Sequence, residues 1–311
     1  MMLNRADQTL AIRALKSAAP YIRMYKGKTF VVKAGGGVFG DTESTRVLVE
    51  QIAILHYFGV RVVMVHGGGP QVTELQTALG AEARMVHGRR VTDAKSIDIT
   101  AMVLSGLINT RILSICRQLN IDAVGVSGVD AGLIRAHRRA PVKLEDGQTV
   151  DYGFVGDVDA VDTTVIRKLL DNGLMPVVSP LSADENGTLL NINADTVAAA
   201  IGAALDAEKL ILCTGAPGIL ENVEDATSLI SYTDLKGLKR LKDEKRIVEG
   251  MLPKAKAIEE AIRGGVRRVH VVSYKSPEGI LGEVFTNEGT GTLIVADVNA
   301  IPPNEQQAPA G

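Results

Sequence analysis

Thr29-Phe-Val-Val-Lys-Ala-Gly-Gly-Gly-Val-Phe-Gly40 and, one helical pattern later, Val62-Val-Met-Val-His-Gly-Gly-Gly-Pro70 decide how this sequence folds. Each begins with a short β-branched run and ends in consecutive glycines, which favour a strand that stops abruptly. Residues 43–58 between them read as a helix. Two strands joined by a helix make a crossover unit, in which the strands run parallel in one sheet.

Outward from this unit the rhythm repeats. Ala123–Val126 follows a helical pattern at 95–118, Met175–Val178 follows 162–172, Leu210–Cys213 follows 194–205, and Val269–Val272 follows 254–264. The class is α/β with a mainly parallel sheet. Residues 5–24 place Leu10, Ile12, Leu15 and Ile22 on a loose helical stripe, so an added N-terminal helix precedes the first strand. Two interruptions read as hairpin excursions: Gly132–Val155 and Asp184-Glu-Asn-Gly187, whose Asn-Gly pair favours a tight turn. Asn299–Gly311, polar and proline-rich, reads as a disordered tail.

Composition narrows the function classes. With 46% apolar residues among 311, the chain can bury a sizeable core, and 34 basic against 36 acidic side chains leave no global field for nucleic acid or an anionic membrane. Any anion must be handled locally. Cys116 and Cys213 lie in apolar runs and read as buried thiols. The five histidines are scattered, which argues against a metal site held by the protein. The N-terminus lacks the apolar core of a secretory signal, and no window approaches the ~18 continuous apolar residues of a membrane span. A cytoplasmic address is expected.

Five segments carry chemistry. Gly35, Gly37 and Gly40 formally match a dinucleotide fingerprint, but the acidic residue that such a site wants at the end of the second strand is replaced by His66. Lys33 before the glycines instead sets an ammonium beside backbone N–H groups, which suits phosphate oxygens. His66-Gly-Gly-Gly-Pro70 ends the next strand ahead of a helix, whose first turn favours an anion. In Gly88-Arg-Arg-Val-Thr-Asp93, Arg89 or Arg90 can pair with a carboxylate or stand solvated. Leu189-Leu-Asn-Ile-Asn-Ala-Asp195 puts Asn191 and Asn193 on one strand face and sets Asn193 or Asp195 to cap the following helix. Glu249-Gly-Met-Leu-Pro-Lys254 leaves Lys254 near a helix start, electrostatically misplaced unless an anion is near, or merely solvated.

Together these segments resemble the acetylglutamate kinases of the amino acid kinase family, in order and over about residues 15–295. The likeness extends to Ala123-Val-Gly-Val-Ser-Gly128, Gly153-Phe-Val-Gly-Asp-Val158, Val177-Val-Ser-Pro180, Ala207-Glu-Lys-Leu-Ile-Leu212, Pro217-Gly-Ile-Leu220 and Phe285-Thr-Asn-Glu-Gly-Thr-Gly-Thr292. It implies a three-layer sandwich with an open, mostly parallel central sheet. It also implies an N-terminal helix for oligomerisation at 1–26, a substrate and dimerisation domain at 27–206, a nucleotide domain at 207–298 and the tail at 299–311.

By the same resemblance, Lys33 and Lys254 stabilise the transferring phosphoryl group and Asp195 orients both. Gly67, Gly68, Arg90, Asn191 and Asn193 bind the substrate, with Arg90 on its α-carboxylate. Gly35, Gly36, Thr214, Gly215, Gly218 and Lys254 serve the nucleotide. The implied reaction is ATP-dependent phosphorylation of N-acetyl-L-glutamate, with Mg²⁺ carried mainly by the nucleotide phosphates. A kinase for another N-blocked acidic amino acid, of the aminoadipate type, or a non-catalytic arginine or nucleotide sensor stays open.

The N-terminal helix, together with Tyr21, Lys209, Glu283 and Gly289, is similar to the arginine-sensitive members. That likeness implies an arginine effector and a homo-oligomer, either a dimer or a hexamer built from three dimers. Alternatively, the helix stripe packs on its own subunit. Ala34, Gly37, Val129, Gly215, Glu249 and Glu278-Gly279 depart from the family's usual residues.

Overall fold

The computed structural model describes residues 5–300 other than 87, 145, 146, 226 and 248. Most of the tail expected at 299–311 therefore lies outside the described residues. The chain runs through α1 (Arg5–Tyr25), β1 (Thr29–Ala34), α2 (Thr42–Tyr57), β2 (Arg61–His66) and α3 (Gly69–Ala78). A small hairpin, β3 (Met85–Val86) and β4 (Arg89–Arg90), precedes α4 (Ala94–Ala101), a π-helical stretch Met102–Ile108, α5 (Asn109–Gln118) and β5 (Ala123–Ser127). Next come β6 (Ile134–Arg138), β7 (Val142–Lys143), β8 (Thr149–Val150), β9 (Gly156–Val161), α6 (Thr164–Asp171) and β10 (Met175–Ser179). Then follow β11 (Leu181–Ala183), β12 (Leu189–Asn191), α7 (Ala194–Ala204) and β13 (Lys209–Thr214). The last elements are β14 (Tyr232–Asp234), α8 (Leu235–Asp243), α9 (Leu252–Arg263), β15 (Arg268–Ser273), α10 (Gly279–Phe285) and β16 (Thr292–Val295).

Eight strands form one sheet in the order β14-β16-β15-β13-β1-β2-β10-β5. From β15 to β5 every neighbouring pair is parallel; β16 runs antiparallel to β15, and β14 pairs parallel with β16. The sequence pattern finds the parallel strands and misses β14 and β16. Both are short, three and four residues, with only β14 at the sheet edge, so few alternating residues are available to mark a period.

The parallel strands are buried on both faces, as parallel sheets require. Alternation sends Phe30, Val32 and Ala34 of β1 into one core with Ile52 and Ile112, and Val31 into the other with Val197 and Ile201 of α7. Each such buried side chain contributes about 1.5–3 kcal/mol over exposure, which is why β1 and β2 are fixed in register.

Of the two interruptions read from sequence, the first holds β6 and the small β7-β8 hairpin and leads into β9, and the second is the turn between β11 and β12. Together β6, β9, β11 and β12 form a second sheet, in the order β12-β11-β6-β9. At Asp184–Gly187 the aspartate carboxylate accepts from the backbone of Asn186 and Thr188, while Gly187 takes φ +80°. The helix expected at 95–118 is continuous but carries the π-helical stretch in its middle. The run Ala94–Gln118 is long and apolar enough by composition to cross a membrane, and half of its most apolar window is buried inside the protein.

Candidate active site

The alternation that buries β1 also delivers its one charge. Lys33 shares the face of Val31, so its side chain enters the layer of α7 rather than that of α2. There it meets the first turn of α7. Asn193 caps that helix, its side-chain carbonyl accepting from the backbone of Asp195 at 2.7 Å and of Thr196 at 3.3 Å. The cap directs Asp195 inward, where it is 3% exposed. The Lys33 ammonium lies 2.7 Å from one carboxylate oxygen of Asp195, and the Lys254 ammonium 3.5 Å from the other. Lys254 comes from the opening turn of α9, just after Pro253.

Burial by itself raises the pKa of Asp195, but the two ammonium groups outweigh it and hold the carboxyl below its usual range. Two cations on one buried carboxylate leave a net positive centre. That centre suits an anion more than it suits a proton transfer.

The glycine loops lie against each other. A Cβ on Gly36 would sit 2.7 Å from Pro70 Cδ and 3.0 Å from Gly68 Cα, so only glycine lets the ends of β1 and β2 approach this closely. On its other side Gly68 faces the π-helical stretch, where an added Cβ would fall 2.4 Å from Ile108 Cδ1. His66, wholly buried, faces the layer of α5: Asn109 Nδ2 stands 3.2 Å from His66 Nε2 and donates to Val177 O at 3.0 Å. This arrangement assigns the ring proton to Nδ1, 3.2 Å from Gly67 O. Burial pulls the His66 pKa down to about 4.

Arg90 reaches the same space from the β3-β4 hairpin. Its guanidinium donates to Gly69 O at 3.0 Å, to Thr73 Oγ1 at 2.6 Å, and to Gln76 Oε1. All three acceptors are neutral, and Arg90 has no carboxylate partner among the described residues. Burial lowers its pKa from the ordinary guanidinium value. Helix α3 beneath it has Gly68 at its N-cap and so no side-chain cap. A cation and a free helix N-terminus, both unneutralised, face one cavity.

That cavity is about 910 Å³ and is lined by Lys33, Gly35, Gly36, Gly67, Gly68, Arg90, Asn191, Asn193 and Asp195. Asn191 Nδ2 stands 3.4 Å from Thr92 Oγ1. Residues from four sequence motifs thus line one cavity, and Lys254 joins them through Asp195. Thr214, Gly215 and Gly218 do not line it. The Thr214 hydroxyl turns to the backbone of Ala216, and Gly218 packs against Leu229 and Thr292. A Cβ at Gly37 would meet the Tyr274 hydroxyl at 2.5 Å and one at Gly215 at 3.4 Å, so two of the unusual glycines face this tyrosine at the ends of β1, β13 and β15.

The four effector candidates gather elsewhere, where α1 meets β13, β15 and α10. The Tyr21 hydroxyl donates to Asn287 Oδ1, and its ring packs edge-on against Phe285. Lys209, buried, lies 2.9 Å from His270 Nε2 and 5.0 Å from the centre of the Tyr25 ring. His270 Nδ1 stands 2.7 Å from Glu283, whose other oxygen accepts from the backbone of Thr290 and Gly291. Gly289, at φ +64°, would press a Cβ to 2.8 Å from that oxygen. Leu10, Ile12 and Leu15 of α1 are more than half exposed.

Gln76, Thr73 and Asn109 escaped the sequence reading because they belong to no motif. A usable signal existed for two of them: polar residues at positions 73 and 76, three apart after the glycine loop, share a helix face.

A model of the amino acid kinase family matches residues 28–273. A protein of Myxococcus xanthus named acetylglutamate kinase is 46% identical over 96% of this chain and 96% of its own length. One of the same name from Symbiobacterium thermophilum is 44% identical over 90% of this chain and 96% of its own. Among solved structures, N-acetylglutamate synthase from Neisseria gonorrhoeae, complexed with coenzyme A and L-arginine, superposes with a TM-score of 0.79 at 25% identity, covering 92% of this chain and 65% of that one.

Proposed function

The chain belongs to the amino acid kinase family, and on that premise we propose that it transfers the terminal phosphoryl group of ATP to the side-chain carboxylate of N-acetyl-L-glutamate. The products are N-acetyl-L-glutamyl 5-phosphate and ADP, a step of arginine biosynthesis. The observation that carries this reading is one cavity lined by Lys33, Asp195 and Arg90, in which Lys33 and Lys254 share the Asp195 carboxylate and Arg90 has no carboxylate partner among the described residues.

The attacking carboxylate is already ionised at neutral pH, so no general base is needed. The barrier is repulsion between two anions and the disorder of separate reactants. Lys33 and Lys254 oppose that repulsion as charge shifts to the bridging oxygen, and Asp195 holds both ammonium groups in place beforehand. Backbone N–H groups of the two glycine loops receive phosphate and substrate oxygens. Arg90 takes the α-carboxylate.

Among the described residues no group of three or more His, Cys, Asp or Glu is arranged to hold a metal, and Asp195 is occupied by its lysines. Mg²⁺ would therefore remain on the nucleotide phosphates, where it shields their charge. In this reading residues 27–206 present the acyl amino acid, and residues 207–298, with Thr214, Gly215 and Gly218, receive the nucleotide.

A coupled ADP-release assay over N-acyl glutamates, aspartates and aminoadipates tests the assignment. N-acetylglutamate is expected to be turned over best. Preference for an aminoadipate derivative would redirect the substrate, and no turnover on any member would favour a sensor.

The grouping of Tyr21, Lys209, Glu283 and Gly289 beside α1 supports an arginine effector at that corner. The exposed stripe of α1 supports its burial against another subunit, in a hexamer of three dimers.

A further inference from the structure

Gln76 is the one polar side chain of α3 that is completely buried. Its Nε2 donates to Ser96 Oγ at 2.8 Å, and its Oε1 accepts from Arg90 Nη1. Ser96 is itself anchored, its backbone N–H held at 2.7 Å by the Asp93 carboxylate that caps α4. The amide therefore spans from a fixed point on α4 to the guanidinium of the β3-β4 hairpin. An apolar side chain would fill this position without burying an amide, whose desolvation is offset only by the two bonds it makes. A glutamate would reach as far but would neutralise Arg90. A glutamine does neither: it fixes the plane of the guanidinium and leaves its charge whole.

We propose that Gln76 is a positioning residue, a neutral strut between Ser96 and Arg90 that holds the Arg90 fork toward the cavity and so sets affinity for the carboxylate of the acyl amino acid. The proposal deepens the functional reading, since it rests on Arg90 receiving that carboxylate. Thr73 and Gly69 O complete the cradle on the neighbouring nitrogen. Loss of the strut frees the long side chain to sample other rotamers, and the cost falls on binding of one substrate only.

The test is steady-state kinetics on full-length Gln76→Leu, Gln76→Glu, Arg90→Lys and the double variant Gln76→Leu/Arg90→Lys, with thermal unfolding of each. Gln76→Leu is expected to raise KM for N-acetylglutamate about tenfold while KM for ATP and kcat stay within about twofold, the signature of lost ground-state binding. Gln76→Glu, which keeps the shape, is expected to raise the same KM because its carboxylate competes for the guanidinium. In the Arg90→Lys background Gln76→Leu should add less than about twofold, since both changes act through one group. Additive effects, or equal losses for ATP, would overturn the strut in favour of a packing role. Normal KM in both Gln76 variants beside a raised KM in Arg90→Lys would overturn the strut alone. An unchanged KM in Arg90→Lys would remove the clamp and the strut together.

Discussion

Lys33 and Asp195 lie 162 positions apart in the chain, yet their charged groups meet at 2.7 Å between the end of β1 and the first turn of α7. Strand alternation points the lysine toward α7, and the Asn193 cap points the aspartate back. The sheet ladder fixes the backbone of Lys33, and the Asn193 cap fixes that of Asp195. The pair is preorganised, which is the property a phosphoryl-transfer site needs.

Removing either ammonium should therefore act on turnover more than on binding. Lys33→Ala and Lys254→Ala are each expected to lower kcat about a hundredfold or more, by analogy with losing one oxyanion donor. Asp195→Asn should also lower kcat, because it frees both lysines to move. Stopped-flow or coupled ADP release measures this; near-normal turnover in a lysine variant would take that residue out of the site.

Arg90→Lys keeps the charge and loses the planar fork. A rise of about tenfold or more in KM for N-acetylglutamate, with ATP affinity unchanged, is expected for a charge-assisted contact worth about 1.5–3 kcal/mol. Isothermal titration with each substrate separately distinguishes this from a general loss of folding, which would weaken both.

Stability should depend on pH through two buried histidines. Burial pulls His66 and His270 down to about 4, with the Lys209 charge adding to the effect at His270. In the unfolded chain they titrate near 6.5, so between about 4 and 6.5 the unfolded state binds more protons and stability rises with pH. Their contribution is complete above that window and is lost as pH falls through it, by on the order of a few kcal/mol. Urea midpoints at pH 7 and pH 5 should differ in that direction, and equal midpoints would contradict the buried neutral rings.

Gly68→Ala should be poorly tolerated. Its new Cβ would lie 2.4 Å from Ile108 Cδ1 and 2.6 Å from Leu104 Cδ2, and overpacking of this kind costs about 1–3 kcal/mol. The clash is with the terminal methyls of two buried side chains, so the strain they do not absorb passes to the glycine loop that faces the cavity, and activity should fall with stability. A variant with wild-type melting temperature and turnover would show that the loop has room to spare.

The regulatory reading has its own test. Full-length protein is expected to be a hexamer inhibited by arginine, and deletion of residues 1–24 to leave an active dimer with weakened inhibition. Light scattering and activity with and without arginine decide it. A dimeric, arginine-insensitive full-length protein would sink the idea.

Much of this molecule was legible from local pattern. The strand-glycine endings at Lys33–Gly40 and His66–Pro70, the helical spacing between them and the Asn193 cap are all short-range signals, fixed by side-chain period and by the preferences of glycine and cap residues. They were enough to establish the parallel sheet and to single out Lys33. Local pattern left Arg89 or Arg90, Asn193 or Asp195 and a solvated Lys254 open, and the roles of Arg90, Asp195 and Lys254 came from the resemblance to the family. What a linear pattern cannot express is which distant faces meet. That Lys33 and Lys254 divide the two oxygens of Asp195, that Gly37 and Gly215 open onto Tyr274, and that Gln76 bridges Ser96 to Arg90 depend on strand order and layer packing. Those are set by burial of two cores summed over the whole chain, so only the tertiary structure decided them.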